Sequence, residues 1–173
     1  MTETQLTRSH TFSWADPTTT TALLGSLSGI DLLNAMIAGE LPPPPAMQML
    51  GMDQMTAEHG NVTVHLTPQE FHYNPLGTVH GGVLATLLDT ATGCAVHSTL
   101  PEGVGYTSVD LSTKFLRQVT VESGRLRCEG SVLASGRRTA LAEARLTDSQ
   151  GRLLAYATST CLLFGLSEQR PAR

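Results

Sequence analysis

The chain has no basic run: 11 lysines and arginines are scattered among 15 acidic residues over 173 positions, for a formal net charge of −4. A polynucleotide partner needs a clustered basic face, so nucleic-acid binding is not expected, and any anionic ligand must be met by local charges. Cysteine is scarce as well. Cys94, Cys128 and Cys161 are odd in number, widely spaced and without a Cys-x-x-Cys pair, each inside an apolar-periodic stretch. They read as reduced core thiols, which argues against a disulfide framework or a zinc site. His59, His65 and His72 have no ligand spacing with any Cys or carboxylate cluster, so no metal is expected. The N-terminus lacks a cationic start followed by an apolar run, and no uncharged apolar stretch reaches the ~20 residues of a membrane helix. The expectation is a soluble, cytoplasmic protein with no membrane partner.

What is present concentrates in the stretch from Asn74 to His97. After the turn-forming Asn74-Pro75 and the Gly81-Gly82 pair, Leu84, Leu87, Leu88, Ala91, Cys94 and Ala95 recur at helical spacing, one apolar face for about four turns. At about 100° per residue, Asp89 lies nearly opposite that stripe, beside the small residues Ala85, Thr86, Thr92 and Gly93. A solvated face normally carries several charges, yet no Lys, Arg or Glu occurs from Gly81 to Leu100. Asp89 is therefore read as buried or interfacial, with room for something to approach it, which is where functional carboxylates are found.

The length fits one domain with a substantial core. Residues 1–26 hold polar runs with little periodicity and read as a flexible arm, on which Phe12 and Trp14 are free to dock. Residues 27–46 read as a lead-in helix, capped by Ser28 and ending near Gly39, then an extended spacer at Pro42 to Pro45; the helix is expected on the outside of the domain. Met47 to Glu58 and Asn61 to Leu66 form a hairpin through His59-Gly60. Beyond Gly103 the period is two, with four runs that end at Phe115, Val132, Leu146 and Leu163, expected to form an antiparallel meander. Their alternate positions are rich in Ala, Gly, Ser and Cys, letting a helix lie close. Residues 47–164 thus make an α+β domain, a six-stranded sheet wrapped on one central helix, and 165–173 a C-terminal tail. One sheet and one helix leave an edge uncovered, which a homodimer would cover.

With these residues in place, the chain resembles the hotdog-fold acyl-CoA thioesterases of the PaaI (phenylacetate-pathway) type over residues 47–164. The resemblance is carried by Asn74-x-x-Gly77-x-x-His80-Gly81-Gly82 with Asp89 nine positions after His80, and less specifically by Thr107 to Asp110 and Gly136 to Thr139. It implies a curled antiparallel sheet around a long helix, paired subunits, often a tetramer, and an active site between subunits where Asp89 of one chain faces the Asn74 and His80-Gly81-Gly82 segment of another.

Thioester hydrolysis needs an attacking group and a cradle for the developing oxyanion. The Gly81 and Gly82 amides at the helix start are assigned to the cradle, with Asn74 placing substrate or water. Asp89 acts as a general base or as a nucleophile forming a mixed anhydride; residue pattern does not separate the two. Ser108 either orients the water or is an ordinary strand serine. His80 is read as fixing the loop rather than as an acid or base, and His97 as a favourable cation at the helix end. Arg137 and Arg138 at a hairpin tip, with Arg117, are candidates for the coenzyme A phosphates, with Thr107 nearby; Phe71 and Tyr73 are candidates for the acyl pocket. No cofactor is expected beyond the coenzyme A of the substrate. The competing readings are an acyl-thioester hydratase or dehydratase on the same fold and a non-catalytic acyl-CoA binding or sensing module.

Overall fold

The computed structural model describes residues 7–166. Helix α4, Gly81–His97, is the axis of the molecule, and Leu87, Leu88, Ala91 and Ala95 on its expected apolar stripe are fully buried. A single antiparallel sheet curls around it with strand order β1 (Met52–Glu58), β2 (Asn61–Leu66), β5 (Leu126–Ser135), β6 (Thr139–Thr147), β7 (Leu153–Gly165) and β3 (Val104–Ser108), while β4 (Ser112–Phe115) also pairs with β7. This is the expected α+β hotdog architecture.

Small residues set the helix-to-sheet distance. A Cβ on Gly130 of β5 would lie 2.2 Å from the carbonyl oxygen of Ala91 on α4, so only glycine admits the helix there. Ala142, Ala144, Ala155, Ala157, Ser159 and Cys161 continue the inner face, all fully buried, and Cys128 joins them.

The strand that follows α4 departs from expectation in two ways. It is broken: Asp110 accepts from Thr160 N–H at 3.1 Å through its carboxylate and from Ser159 Oγ at 2.8 Å through its carbonyl, interrupting the ladder between β3 and β4. Its phase is also changed, since Ser108 turns toward α4 while Val109 is 59 % and Phe115 50 % exposed; Leu111 alone of the three expected inward residues packs against the core. The expected four-strand meander is corrected as well. β5, β6 and β7 form a meander, but β3 and β4 lie on the far side of β7, because the inner edge of β5 is already taken by β2.

The N-terminal segment is more structured than its composition suggests. Asp16 accepts from Thr18 N–H at the start of α1 (Thr18–Thr21), and Phe12 and Trp14 form a ring series with His10, which stacks on Phe71. Helix α2 (Gly29–Ile37) has Ser28 as its cap and buries Leu32 and Leu33. It does not lie outside the domain. It packs against β1 and α4, with Gly29 N–H donating to Leu100 O at 2.9 Å, while Gly25 sits beside Gly103 and Leu166 near β3. The lead-in therefore covers the opening between the two ends of the curled sheet. The proline run is not wholly a spacer either: Pro45 is the first residue of α3 (Pro45–Leu50), so Met47 to Leu50 are helical and β1 begins only at Met52. Proline suits that first helical position because its missing N–H would have no partner there.

Candidate active site

Asp89 is half-buried on α4, and its Oδ1 accepts a hydrogen bond from Ser108 Oγ at 2.9 Å. The helix brings the carboxylate to Ser108, the last residue of β3, whose part-buried side chain turns toward it. The small neighbours of Asp89 serve the chain's own packing: a Cβ on Gly93 would meet Tyr106 Oη at 2.9 Å, and Thr92 Oγ1 donates to Leu88 O and Asp89 O. Burial, reinforced by the charge of Asp89, pushes the nearby Cys94 thiol up to about 12, so it stays protonated and inert near neutrality.

The start of α4 is a second polar cluster. His80 is its N-cap, with Nδ1 accepting from Gly82 N–H at 2.9 Å. Of the two amides assigned to an oxyanion, that of Gly82 is thus engaged by His80, while Gly81 N–H has no acceptor among the described residues. Asn74 folds its own loop: Oδ1 accepts from Leu76 N–H at 2.9 Å, and Nδ2 donates to Thr78 Oγ1 at 3.0 Å. The loop reaches α4 through Val79 N–H on Val119 O and His80 N–H on His72 O, both 2.8 Å.

These two clusters do not meet within one chain. Gly81 and Asp89 stand on the same helix eight positions apart, about 12 Å along its axis. The arginines divide in the same way. Arg117 donates to Leu153 O and shares a groove of about 360 Å3 with Gly81, Thr78 and Phe115. Arg137 and Arg138, exposed at the β5–β6 tip, border a groove of about 520 Å3 with Val104 and the end of β7. Leu153 and Leu163, which mark those two places on β7, are about 33 Å apart along the strand.

A cavity of about 560 Å3 adjoins the Asp89 end, with Thr107, Ser108 and Cys94 in its walls. Phe71 and Tyr73 are not in those walls. Phe71 stacks on His10 with ring centroids 4.1 Å apart, and Tyr73 Oη accepts from Val121 N–H at 2.8 Å. His97, read as a helix-end cation, is corrected: burial pushes its pKa down, and its ring lies 5.4 Å from that of Tyr106. Sequence reasoning missed the cavity residues supplied by the lead-in, Leu33, Met36 and Met47 among them, because their helical spacing says which face is apolar and not what it covers.

The thioesterase superfamily model matches residues 76–155. The chain is 32 % identical over 114 residues to the candidate esterase VNG_1336C of Halobacterium salinarum, covering 63 % of this chain and 74 % of that protein. It is 29 % identical over 107 residues to human acyl-coenzyme A thioesterase 13, covering 61 % and 75 %. Among solved structures, a candidate thioesterase related to phenylacetic acid degradation from Ralstonia eutropha JMP134 superposes with a TM-score of 0.68 at 30 % identity, over 75 % of this chain and 97 % of that one. Together with the curled sheet and its axial helix, these similarities identify the chain as a member of the thioesterase superfamily, a hotdog-fold enzyme of the PaaI type.

Proposed function

We propose that the protein hydrolyses an acyl-CoA thioester to the free acid and coenzyme A at a site shared by two copies of the chain. The observation that carries this reading is Asp89, held by the hydroxyl of Ser108, which itself lines a largely apolar cavity. Ser108 occupies Oδ1, and Oδ2 has no protein partner among the described residues, which leaves it for the reaction. As a base, Asp89 takes a proton from water as the water oxygen bonds to the thioester carbon. The tetrahedral oxyanion then collapses, the carbon–sulfur bond breaks, and the proton passes to the leaving thiolate. As a nucleophile, Asp89 bonds to the thioester carbon, and the carbon–sulfur bond breaks to release the coenzyme A thiolate. Water then opens the mixed anhydride, restoring the carboxylate, freeing the acid and supplying the thiolate's proton. Either route uses only water and the chain's own groups, and coenzyme A enters as part of the substrate.

The oxyanion needs donors within about 3 Å. Gly81 N–H lies about 12 Å along α4 from Asp89 of its own chain, so a second chain has to bring its Gly81 to that carboxylate. Exposed apolar side chains flank the loop: Leu76 is 87 %, Phe115 50 % and Leu116 48 % exposed, a surface suited to burial against another copy. In such a pair Arg137 and Arg138 accompany Asp89, while Arg117 of the other chain accompanies Gly81, so phosphate contacts come from both. The unpaired thiols support a reducing, cytoplasmic setting.

A mixing experiment tests this. Asp89→Ala and Gly81→Val, each inactive alone, are unfolded together, refolded as a mixture and assayed for thiol release from acyl-CoAs. Random pairing in a dimer restores one intact site in half of the pairs, about a quarter of wild-type activity. No restoration from two folded, dimeric variants rejects the shared site. Full activity in Asp89→Ala rejects the role of the carboxylate.

A further inference from the structure

The lead-in segment, which lies outside the family match to residues 76–155, walls the cavity beside Asp89. Its volume, about 560 Å3, falls within the usual range for small-molecule sites, roughly 300–1,000 Å3. One part of the wall comes from α4 and β3, including Cys94, Tyr106 and Ser108. Another comes from Leu33 and Met36 of α2, Met47 of α3 and Met55 of β1. Among the described residues no Lys, Arg, Asp or Glu lines it, and its one imidazole, His97, is held toward the neutral form by burial.

We infer that this cavity holds the acyl group of the substrate and that Met36 and Met47 limit its length, so that the enzyme selects unbranched apolar acyl chains of medium length over acetyl and over acyl groups ending in a carboxylate. This rests on the thioesterase reading of Asp89. Continuity is the first support: Ser108 both hydrogen-bonds the carboxylate and lines the cavity, so a thioester carbon at Asp89 has its acyl substituent at the cavity wall. The lining is the second. A terminal carboxylate would enter a chamber to which the described residues bring no cation, and would lose its hydration uncompensated by them. Methionines adapt their three rotatable bonds to a flexible chain. The third support is that the wall is fixed. Leu32 and Leu33 are buried, Gly29 N–H is bonded to Leu100 O, and a side chain at Gly29 would overlap His97, so α2 cannot slide outward without losing these contacts.

The test uses the full chain and non-hydrolysable S-alkyl-CoA thioethers, so that binding is read apart from turnover. Calorimetric affinity is measured for S-ethyl-, S-hexyl- and S-decyl-CoA, alongside kcat/KM for the matching acyl-CoAs. Affinity is expected to rise up to about fourfold per added methylene until the cavity is full. Met36→Trp shortens the cavity and lowers the decyl-to-ethyl affinity ratio at least tenfold; Met47→Phe gives a second, smaller shift should the first variant not fold. Ile37→Glu, on the 42 % exposed side of the same helix, keeps the wild-type ratio. Equal affinity for ethyl and decyl thioethers in the wild type, or an equal loss of both in the folded cavity variants, overturns the inference. Chain-length-dependent binding without hydrolysis of any acyl-CoA leaves the cavity assignment standing and removes the thioesterase reading; hydrolysis indifferent to chain length does the reverse.

Discussion

Ser108 Oγ donates to Asp89 Oδ1 at 2.9 Å, tying the edge strand β3 to the middle of the central helix across nineteen positions of sequence. The bond orients the carboxylate and leaves its second oxygen without a protein partner among the described residues. Asp89→Asn is expected to keep the fold and lower kcat at least ~100-fold, the usual contribution of a positioned base. Ser108→Ala removes one hydrogen bond to a charged group, worth about 1.5–3 kcal/mol, and should lower kcat by about tenfold or more with little change in KM. Steady-state kinetics on one acyl-CoA decides both; a Ser108→Ala enzyme with wild-type kcat would make that serine merely structural.

His80 gives a different signature. Its ring caps α4 by accepting from Gly82 N–H. His80→Ala should cost about 1 kcal/mol of unfolding free energy, whereas His80→Asn, a good capping residue, should restore most of it. If the imidazole only holds the loop, the Asn variant also keeps kcat within about threefold of wild type, a small change against the ~100-fold expected of a proton-transfer group. Denaturant midpoints and kcat on both variants separate positioning from proton transfer.

Gly130→Ala places a methyl group 2.2 Å from Ala91 O and 2.5 Å from its carbonyl carbon, both backbone atoms of the buried helix. Either α4 or β5 must shift. A loss of about 1–3 kcal/mol or more is expected, read as a lowered denaturant midpoint with an unchanged slope.

Two histidines set an acid limit on stability. His72 is buried with Nδ1 accepting from Gln69 N–H and Nε2 placed to donate to Leu50 O, so the neutral ring satisfies both partners. Burial lowers its pKa most, partly opposed by the Leu50 carbonyl and helped by His10; burial alone lowers that of His97. Both folded-state values lie below the unfolded ~6.5, so the unfolded chain binds more protons as the pH drops. Their contribution is complete above about pH 6.5 and is lost as pH falls through the depressed folded values. Urea midpoints should therefore decline from pH 7.5 to 5, and His72→Gln should flatten that decline. A midpoint constant over this range would contradict it.

The axis and the face of the fold were legible because they depend on local periodicity. The 3.6-residue stripe from Leu84 to Ala95 marked α4, and the alternation through Leu126, Cys128 and Gly130 marked a sheet face made for a close helix. Asp89 was legible as an isolated carboxylate on a helix otherwise free of charge. The break at Asp110 was not, because it depends on the carboxylate finding Thr160 N–H fifty positions away. Nor was the phase of the chain that follows α4: Val109, just after β3, and Phe115 of β4 are apolar yet exposed, and alternation alone assigns apolar residues to the core.

By itself the sequence determined that a long helix would carry one carboxylate past small neighbours, that glycines would open both its start and the sheet beneath it, and that short strands would wrap it. These follow from rotation per residue and from side-chain size, which are properties of adjacent positions. Only tertiary structure decided that β3 and β4 flank β7, that Ser108 meets Asp89, that His80 takes the Gly82 amide, and that α2 and α3 close a cavity beside the carboxylate. Each of those is a contact between segments brought together by burial of the core, and its energy depends on distances that no local pattern records.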